Sequence, residues 1–226
     1  MEKITASIIT IGDELLIGQV IDTNSAWMAQ ELNNIGVWVN HRVAVGDVWD
    51  DIWQVLDEEG QRSHIILITG GLGPTADDIT KPLLCKYFGG KMVMDEATLA
   101  HVTYLFEHVF KRPMPLLERN RKQAEVPDVC TVLKNENGTA PGMLFEKNEK
   151  IFISMPGVPH EMKGIMRDHV LPLLKQRFQL THIGHRTLLT AGTGESFIAE
   201  MIKDFEESLP PFLKLAYLPG NGMIRL

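Results

Sequence analysis

The stretch TGGLGPTADDIT, residues 69–80, contains residue types that can bind phosphates. It follows the apolar run HIILI and precedes a segment whose pattern predicts a helix. In open parallel sheets, ligands bind beyond the carboxyl ends of strands, where glycines allow backbone N–H groups to come close to the ligand. We therefore expect Gly70, Gly71 and Gly73 to hold a phosphate, with Thr75 and Thr80 as hydroxyl donors.

Two adjacent aspartates, Asp77 and Asp78, stand beside this anion-binding pattern. Carboxylates repel a phosphate unless a divalent cation such as Mg²⁺ lies between them, so the pattern favours two phosphates and a metal. The structural alternative is that Gly-Gly only reverses the chain and that Asp-Asp starts a helix. Two other loops of similar character, ITIGDELLIG and GTAPGM, also adjoin apolar strands. The set of three favours function, and a parallel sheet would gather them at one edge.

Composition excludes several classes of protein. The chain has 226 residues, with 22 basic and 29 acidic side chains and a formal charge of −7, which argues against nucleic acid as the main partner. The absence of a GxxxxGK loop argues against ordinary nucleoside triphosphatase chemistry. Cys85 and Cys130 have no metal-ligand spacing, and no apolar run is long enough for a membrane span. These features predict a soluble cytoplasmic protein with no membrane partner.

The elements that would position the three loops alternate along the chain. The segments Ile4–Ile11, Val37–Val45 and His64–Thr69 are predicted strands, separated by amphipathic helices. This βαβαβ order predicts a mostly parallel sheet with helices on both faces. Three further short strands are expected between residues 131 and 155, and one helix from Pro159 to about Phe178, bent or split at Pro172.

The predicted domains are residues 1–180 and a small α+β module at 181–226. In the second, a strand ends at Leu218 and is followed by the turn PGNG and by MIRL, with no visible further partner. We therefore expect this module to be the incomplete start of a small linker domain.

The motifs GDELLIGQVIDTNS, TGGLGPTADDIT and MPGVPHEM, with NGTAPG before the last, resemble those of the CinA family of competence/damage-inducible proteins. More broadly, they are similar to the molybdopterin-binding domain family that includes the gephyrin-like molybdenum cofactor enzymes. The resemblance covers about residues 4–178 and extends into the small module through AGTGES and AYLPGNGMIRL. It implies a three-layer α/β domain.

The resemblance also implies chemistry. CinA-like amino-terminal domains are associated with metal-dependent hydrolysis of ADP-ribose and related pyrophosphates. In the molybdenum cofactor relatives, one aspartate after the second strand and one on the glycine-rich loop serve the pterin phosphate and adenylyl transfer; the matching positions are Asp47 and Asp78. Leu72 and Pro74 depart from the GGTG loop of those enzymes and indicate the CinA branch.

The resulting hypothesis is a hydrolase of ADP-ribose or a related nucleotide pyrophosphate that uses Mg²⁺, Mn²⁺ or Co²⁺ and requires no pterin or nicotinamide cofactor. Asp47 and Asp78 are the expected catalytic residues, acting with a metal that activates the attacking water. The expected metal ligands are Asp13, Asp47, Asp77 and Asp78. The expected substrate-binding residues are Gly12, Thr69, Gly70, Gly71, Gly73, Pro74, Thr75, Thr80, Lys81, Asn137, Gly138, Thr139, Pro156, Gly157 and Glu161.

Three expectations about partners and alternatives complete the hypothesis. A small-molecule nucleotide is the expected substrate, and four tryptophans with a short second module favour a homodimer or a higher homo-oligomer. One alternative function is pterin-phosphate binding or adenylyl transfer. The other is a non-catalytic interaction module. For Lys81 the sequence leaves two possibilities open, a phosphate ligand or a solvated side chain at a helix start.

Overall fold

The structure is a computed structural model that describes residues 3–75 and 77–226. It divides into two compact units, the first extending to Ile183 and the second spanning Gly184–Leu226. No helix in the described part of the chain is both long and apolar enough to cross a membrane.

A six-stranded sheet forms the centre of the first unit. Its strands are β1 (Thr5–Ile11), β2 (Trp38–Val45), β3 (Ile65–Thr69), β6 (Thr131–Leu133), β7 (Gly142–Lys147) and β8 (Lys150–Met155), while β4 (Met92–Met94) and β5 (Glu125–Pro127) form a separate antiparallel ribbon. The order across the sheet is β2-β1-β3-β8-β7-β6. The first four strands are parallel, and β7 and β6 are each antiparallel to the preceding neighbour. The predicted mostly parallel sheet is confirmed.

Helices cover both faces of this sheet, as predicted. The helices of the first unit are α1 (Asp13–Leu16), α2 (Thr23–Asn34), α3 (Trp49–Arg62), α4 (Thr80–Tyr87), α5 (Glu96–Tyr104), α6 (Glu118–Arg121), α7 (Pro159–Ile165) and α8 (Leu171–Arg177). One apolar cluster joins α2, α7 and α8 to the sheet, and a second joins α3 and α4 to the opposite face. Successive side chains of β1 alternate between the clusters, Ile8 in the first and Ile9 in the second, because strand side chains have a period of two.

The predicted helix from Pro159 to Phe178 is interrupted. A π-helical turn, Met166–Val170, separates α7 from α8, and Pro172 lies in the first turn of α8. Proline is tolerated there because its missing N–H would have no partner in a helix's first turn. The helical run is therefore not broken at Pro172, and its one irregular turn ends two residues before the proline.

The second unit contains α9 (Glu195–Met201), α10 (Lys203–Glu207) and three strands, β9 (Leu189–Ala191), β10 (Leu218–Gly220) and β11 (Met223–Arg225). The expectation that the chain ends without a strand partner is wrong at this point. β11 is the middle strand of an antiparallel sheet and pairs with both β10 and β9. The turn at residues 221–222 places β11 beside β10. Its other neighbour, β9, lies about 30 residues earlier in the chain, and local sequence patterns do not reveal such a pairing.

Candidate functional site

The loops singled out in the sequence converge at one edge of the six-stranded sheet. Thr69, the last residue of β3, pairs with Thr10 of β1 and with Met155 of β8, so these parallel strands end side by side. The antiparallel strand β7 starts at the same edge, which brings in the loop before it. A cleft of about 340 Å³ lies between these loops. We call it the first cleft.

Backbone geometry in the glycine-rich loop requires two glycines. Gly70 has φ +112°, and a Cβ there would lie 2.1 Å from the carbonyl oxygen of Ile11. Gly71 has φ +64°, and a Cβ there would lie 2.1 Å from Thr80 Oγ1. Both conformations are ones that residues with a side chain rarely adopt. The loop can therefore pack directly on β1 and on the start of α4 only with glycine at both positions.

Asp78 closes the same loop from within. Its carboxylate accepts hydrogen bonds from the N–H of Gly73 at 2.7 Å, from the N–H of Thr75 at 2.9 Å and from the Thr75 hydroxyl at 2.5 Å. The N–H of Gly70 donates to the carbonyl of Met155 at 3.2 Å. Two of the three glycine N–H groups expected to hold phosphate are thus engaged within the protein. Among the described residues, the N–H of Gly71 has no acceptor.

A group of acidic side chains lies beside the loop. The backbone N–H of Asp13 donates to the Asp47 carboxylate at 3.1 Å, and the N–H of Asp47 donates to the Asp13 carboxylate at 3.2 Å. This reciprocal pair fixes the end of β1 against the end of β2. Burial raises the pKa of Asp47, and the negative charges of Asp13, Glu14 and Asp77 raise it further. The site therefore concentrates negative charge next to the glycine-rich loop.

A third element of the cleft is Glu161, in the first turn of α7. It accepts a 2.6 Å hydrogen bond from Asn135, whose side chain also donates to the carbonyl of Ala140. Burial raises the pKa of Glu161. A Cβ at Gly138 would lie 2.2 Å from the Glu161 carboxylate, so only a glycine at this position leaves room for the carboxylate against the loop. The loop before β7 and the start of α7 are thereby held together.

The predicted site residues fall into three groups. Those that line the first cleft are Gly12, Asp47, Gly70, Gly71, Gly73, Asp77, Asp78, Pro156, Gly157 and Glu161. Those that line a second cleft on the other side of the loop are Gly73, Pro74, Thr75, Asp78 and Lys81. Those found in neither lining are Asp13, Thr69, Thr80, Asn137, Gly138 and Thr139.

The residues outside both linings have identifiable roles in packing. Thr69 donates its hydroxyl hydrogen bond to the carbonyl of Pro156 at 2.8 Å and joins two strand ends. Thr80 is fully buried beneath Gly71. Asn137 donates its N–H to Asn135, and Thr139 lines a separate cavity of about 210 Å³ with His101. Thr69 and Asn137 thus bond to the loops from behind, whereas the buried Thr80 hydroxyl has no hydrogen-bond partner among the described residues.

Several cleft residues were not among the predicted ones. Glu14, Leu72, Ala140 and Val158 line the first cleft, and Asn24 donates a 2.7 Å hydrogen bond to the carbonyl of Gly157. Glu14 and Asn24 lie within the motif GDELLIGQVIDTNS, so the motif itself was a usable signal. Lys81 is buried, 6 % exposed, so the alternative of a solvated side chain at a helix start is wrong, and its role as a phosphate ligand stays a prediction.

The acidic group has suitable donor chemistry for a divalent cation. Carboxylate oxygens are the ligands that Mg²⁺ and Mn²⁺ prefer, and a cation would relieve the repulsion that raises the Asp47 pKa. Within residues 3–75 and 77–226, no three Asp, Glu, His or Cys side chains already form a metal-binding cluster. Asp13, Asp47 and Asp77 thus have the donor chemistry of a divalent-cation site, but the described side chains are not placed as a metal-binding group, and the metal site stays a prediction.

Comparison with known proteins identifies the family. The model of a probable molybdopterin binding domain matches residues 7–176. A CinA-like protein of Cytophaga hutchinsonii is 50% identical over 223 residues, which cover 99% of this chain and 53% of the relative. A CinA-like protein of Flavobacterium psychrophilum is 48% identical, with 98% and 52% covered. The chain belongs to the CinA-like branch of the molybdopterin-binding domain family.

Solved structures agree with this membership. The crystal structure of CinA from Thermoplasma acidophilum, a protein described there as of unknown function, has a TM-score of 0.66 and 32% identity, and covers 73% of this chain and 95% of its own. The tungsten cofactor synthesizing protein MoaB of Pyrococcus furiosus has a TM-score of 0.50 at 18% identity, with 78% and 98% covered, which indicates a shared fold alone. The chain spans about half the length of the CinA-like relatives it matches.

Proposed function

We propose that this CinA-like chain binds a nucleotide pyrophosphate in the first cleft and hydrolyses it with the help of a divalent metal ion. The observation that carries the proposal is the juxtaposition, in one cleft, of a glycine loop with a group of carboxylates. The loop offers the N–H of Gly71 to a phosphate, and the carboxylates of Asp47 and Asp77 line the same cavity. Each arrangement is common alone, but together they suit a phosphate and a cation at adjacent positions.

In this proposal the chain's own residues have separate tasks. Asp47 and Asp77, which line the cleft, would hold the cation, and Asp13 positions Asp47. The carboxylate of Asp78, predicted as a further ligand, is already bonded to the loop. The cation would neutralise charge on the phosphate oxygens and lower the pKa of water. Gly71 binds the phosphate from the opposite wall. Glu161 accepts the proton of the attacking water, because its burial raises its pKa and Asn135 fixes one of its oxygens.

The direct test is an assay of purified protein with ADP-ribose in Mg²⁺, Mn²⁺ or Co²⁺, measuring release of AMP. We expect metal-dependent turnover that falls at least a hundredfold in Asp47→Asn, corresponding to about 3 kcal/mol of transition-state stabilisation. Asp168→Asn is the matched control, since Asp168 is an exposed aspartate that lines neither cleft. It should retain parent activity.

Other outcomes would identify the alternatives. A purified protein that retains a fluorescent pterin, or that turns over ATP in preference to ADP-ribose, would favour pterin-phosphate binding or adenylyl transfer. A protein with no turnover on ADP-ribose, NADH, diadenosine compounds or coenzyme A with any of the three metals would overturn the hydrolase proposal. That result would favour a non-catalytic interaction module.

A further inference from the structure

A cavity of about 210 Å³ lies between α5 and the loop that joins β6 to β7. We call it the His101 cavity. None of its lining residues lines the first or the second cleft, so it is a separate place in the fold. The lining consists of Asp95, Ala97, Thr98, His101, Val132, Lys134, Asn135, Thr139 and Pro141.

The ring of His101 has a nitrogen that no protein group satisfies. Its Nε2 is buried and has no hydrogen-bond partner among the described residues. Most buried polar side-chain atoms in folded proteins have a partner. An imidazole nitrogen donates or accepts according to its tautomer. His101 therefore points to a bound molecule that brings one matching group, either an N–H or a ring nitrogen.

The other polar side chains of the lining are largely paired within the protein. The Asp95 carboxylate accepts from the N–H of Thr98 at 2.8 Å and from its hydroxyl at 2.5 Å. Lys134 forms a 2.7 Å ion pair with Glu136, and the amide of Asn135 donates two hydrogen bonds to neighbouring groups. An ordered water needs about 2–4 polar partners, and few are left here. Because both charged side chains have partners, the cavity suits a neutral ligand.

The volume and the apolar walls indicate the shape of that ligand. A cavity of about 150 Å³ holds a benzene ring. The 210 Å³ of the His101 cavity therefore has room for a single ring or for two small fused rings. Ala97, Val132 and Pro141 supply apolar surface for the faces of such a ring. The polar contact with His101 then falls on the ring edge.

The loop between β6 and β7 is a wall that the cavity shares with the first cleft. Thr139 and Pro141 line the cavity, whereas Ala140, between them, lines the first cleft. Asn135 lines the cavity and donates the 2.6 Å hydrogen bond that holds Glu161 in the first cleft. A ligand in the cavity would thus contact the loop that positions Glu161.

We propose that the His101 cavity binds a small, neutral, nitrogen-containing aromatic compound, with His101 as its hydrogen-bond partner. The site is separate from the one proposed for the pyrophosphate. It goes beyond the proposed function, because binding here requires neither phosphate nor metal. Thr139, expected from the sequence to bind the substrate, lines this site.

Two probes of nearly equal shape test the site. Benzimidazole carries an N–H and a ring nitrogen, whereas indene has similar fused rings without nitrogen. Titrations of ¹⁵N-labelled parent at pH 8 follow the His101 ring signal and the Thr139 amide signal. We expect benzimidazole to shift both signals with a dissociation constant of about 1 mM or below. Indene should bind at least tenfold more weakly, which is about 1.4 kcal/mol.

A variant and its control assign the hydrogen bond. His101→Phe keeps a planar ring without the nitrogen, and its missing ring signal also identifies the parent's. It should bind benzimidazole at least tenfold more weakly, read from the Thr139 amide, with a melting temperature no lower than the parent's. His182→Phe, at an exposed histidine outside the cavity, should bind as the parent does.

Three results would overturn the site. The first is a His101 signal in the parent that does not move up to about 10 mM benzimidazole, tenfold above the expected constant; the cavity would then hold only water. The second is a His101→Phe protein with the parent's affinity. The third is competitive displacement of benzimidazole by ADP-ribose with Mg²⁺, because the cavity would then belong to the pyrophosphate site. Simultaneous binding of both compounds supports a separate site.

Failure of the proposed function gives a different result. If ADP-ribose neither binds nor turns over, the pyrophosphatase proposal fails, and the benzimidazole titration of the parent still decides the His101 cavity. That titration needs neither turnover nor a folded variant.

Discussion

Replacing Lys81 by methionine should make the protein more stable at neutral pH. Lys81 is buried in α4, and its pKa is about 8 in place of 10.5 chiefly because of that burial, which the charges of Glu125, Cys130 and Asp78 offset in part. Methionine keeps the length and flexibility of the side chain without the charge. Buried ionic groups are often replaced by apolar residues without loss of stability.

The magnitude follows from the pKa. A value of about 8 in place of 10.5, at about 1.36 kcal/mol per pH unit between them, corresponds to roughly 3 kcal/mol of unfolding free energy. Below pH 8 the lysine is charged in both the native and the unfolded protein, so the full free-energy cost of burying the charge is present. Between pH 8 and 10.5 the native lysine is neutral while the unfolded one still binds a proton, so stability rises with pH. The variant also loses the hydrogen bond to Gln123, worth about 1–2 kcal/mol.

Urea unfolding of both proteins at pH 7, 8, 9 and 10 measures these terms. At pH 7 we expect the unfolding free energy of Lys81→Met to exceed that of the parent by about 1–2 kcal/mol, because relief of the buried charge outweighs the lost hydrogen bond. This difference should disappear towards pH 10. Other groups titrate in both proteins, so the difference between them isolates Lys81. If the two free energies run parallel from pH 7 to pH 10, Lys81 is not a buried cation with a lowered pKa and the reasoning fails.

Three further predictions concern the loop and the assembly. Asp78→Asn should lower the unfolding free energy by about 1–3 kcal/mol, because its amide N–H would face a donor of Gly73 or Thr75. Turnover should fall as well, since this loop carries Gly71, and an Asn protein with the parent's melting temperature and turnover would contradict both expectations. Gly70→Ala should lower the melting temperature by more than Gly89→Ala. Both glycines have positive φ, but only a Cβ at residue 70 would clash with backbone, at the carbonyl oxygen of Ile11. Equal losses of melting temperature would refute this. The exposed apolar segment at residues 16–21 favours a homo-oligomer; light scattering at monomer mass across the micromolar range would exclude it.

Most of the fold could be predicted because its signals are local. The strands ending at Ile11 and Thr69 are rich in β-branched apolar residues and are followed by loops, and the parallel sheet follows from the alternation of strands with helices. The ribbon of β4 and β5 was missed, since its three-residue strands are about 30 residues apart and carry no alternating pattern. The partner of β11 was missed for the same reason: long-range pairing leaves no trace in a short segment.

The site divides in a similar way. Glycines and aspartates of the first cleft could be found because their types are unusual beside an apolar strand. What the sequence did not reveal is how they are used: Asp78 bonds to the loop itself, and Thr80 lies beneath it. Gln123 and Lys81 could not be predicted as a buried pair, because their contact spans 42 residues and neither residue type is usually buried.

The contact between the glycine-rich loop and the end of β8 has a consequence for the order of folding. The N–H of Gly70 donates to Met155, and a Cβ at Gly157 would lie 3.4 Å from the Cα of Gly70, so the two strand ends define each other. Because these positions are more than 80 residues apart, their meeting requires closure of a long segment, which is slow and late in folding. A nascent chain released before β8 would have β1, β2 and β3 but no complete first cleft. Under the proposed function, ligand binding would report the meeting of β3 with β8, and a pulse of ligand during refolding would date that step.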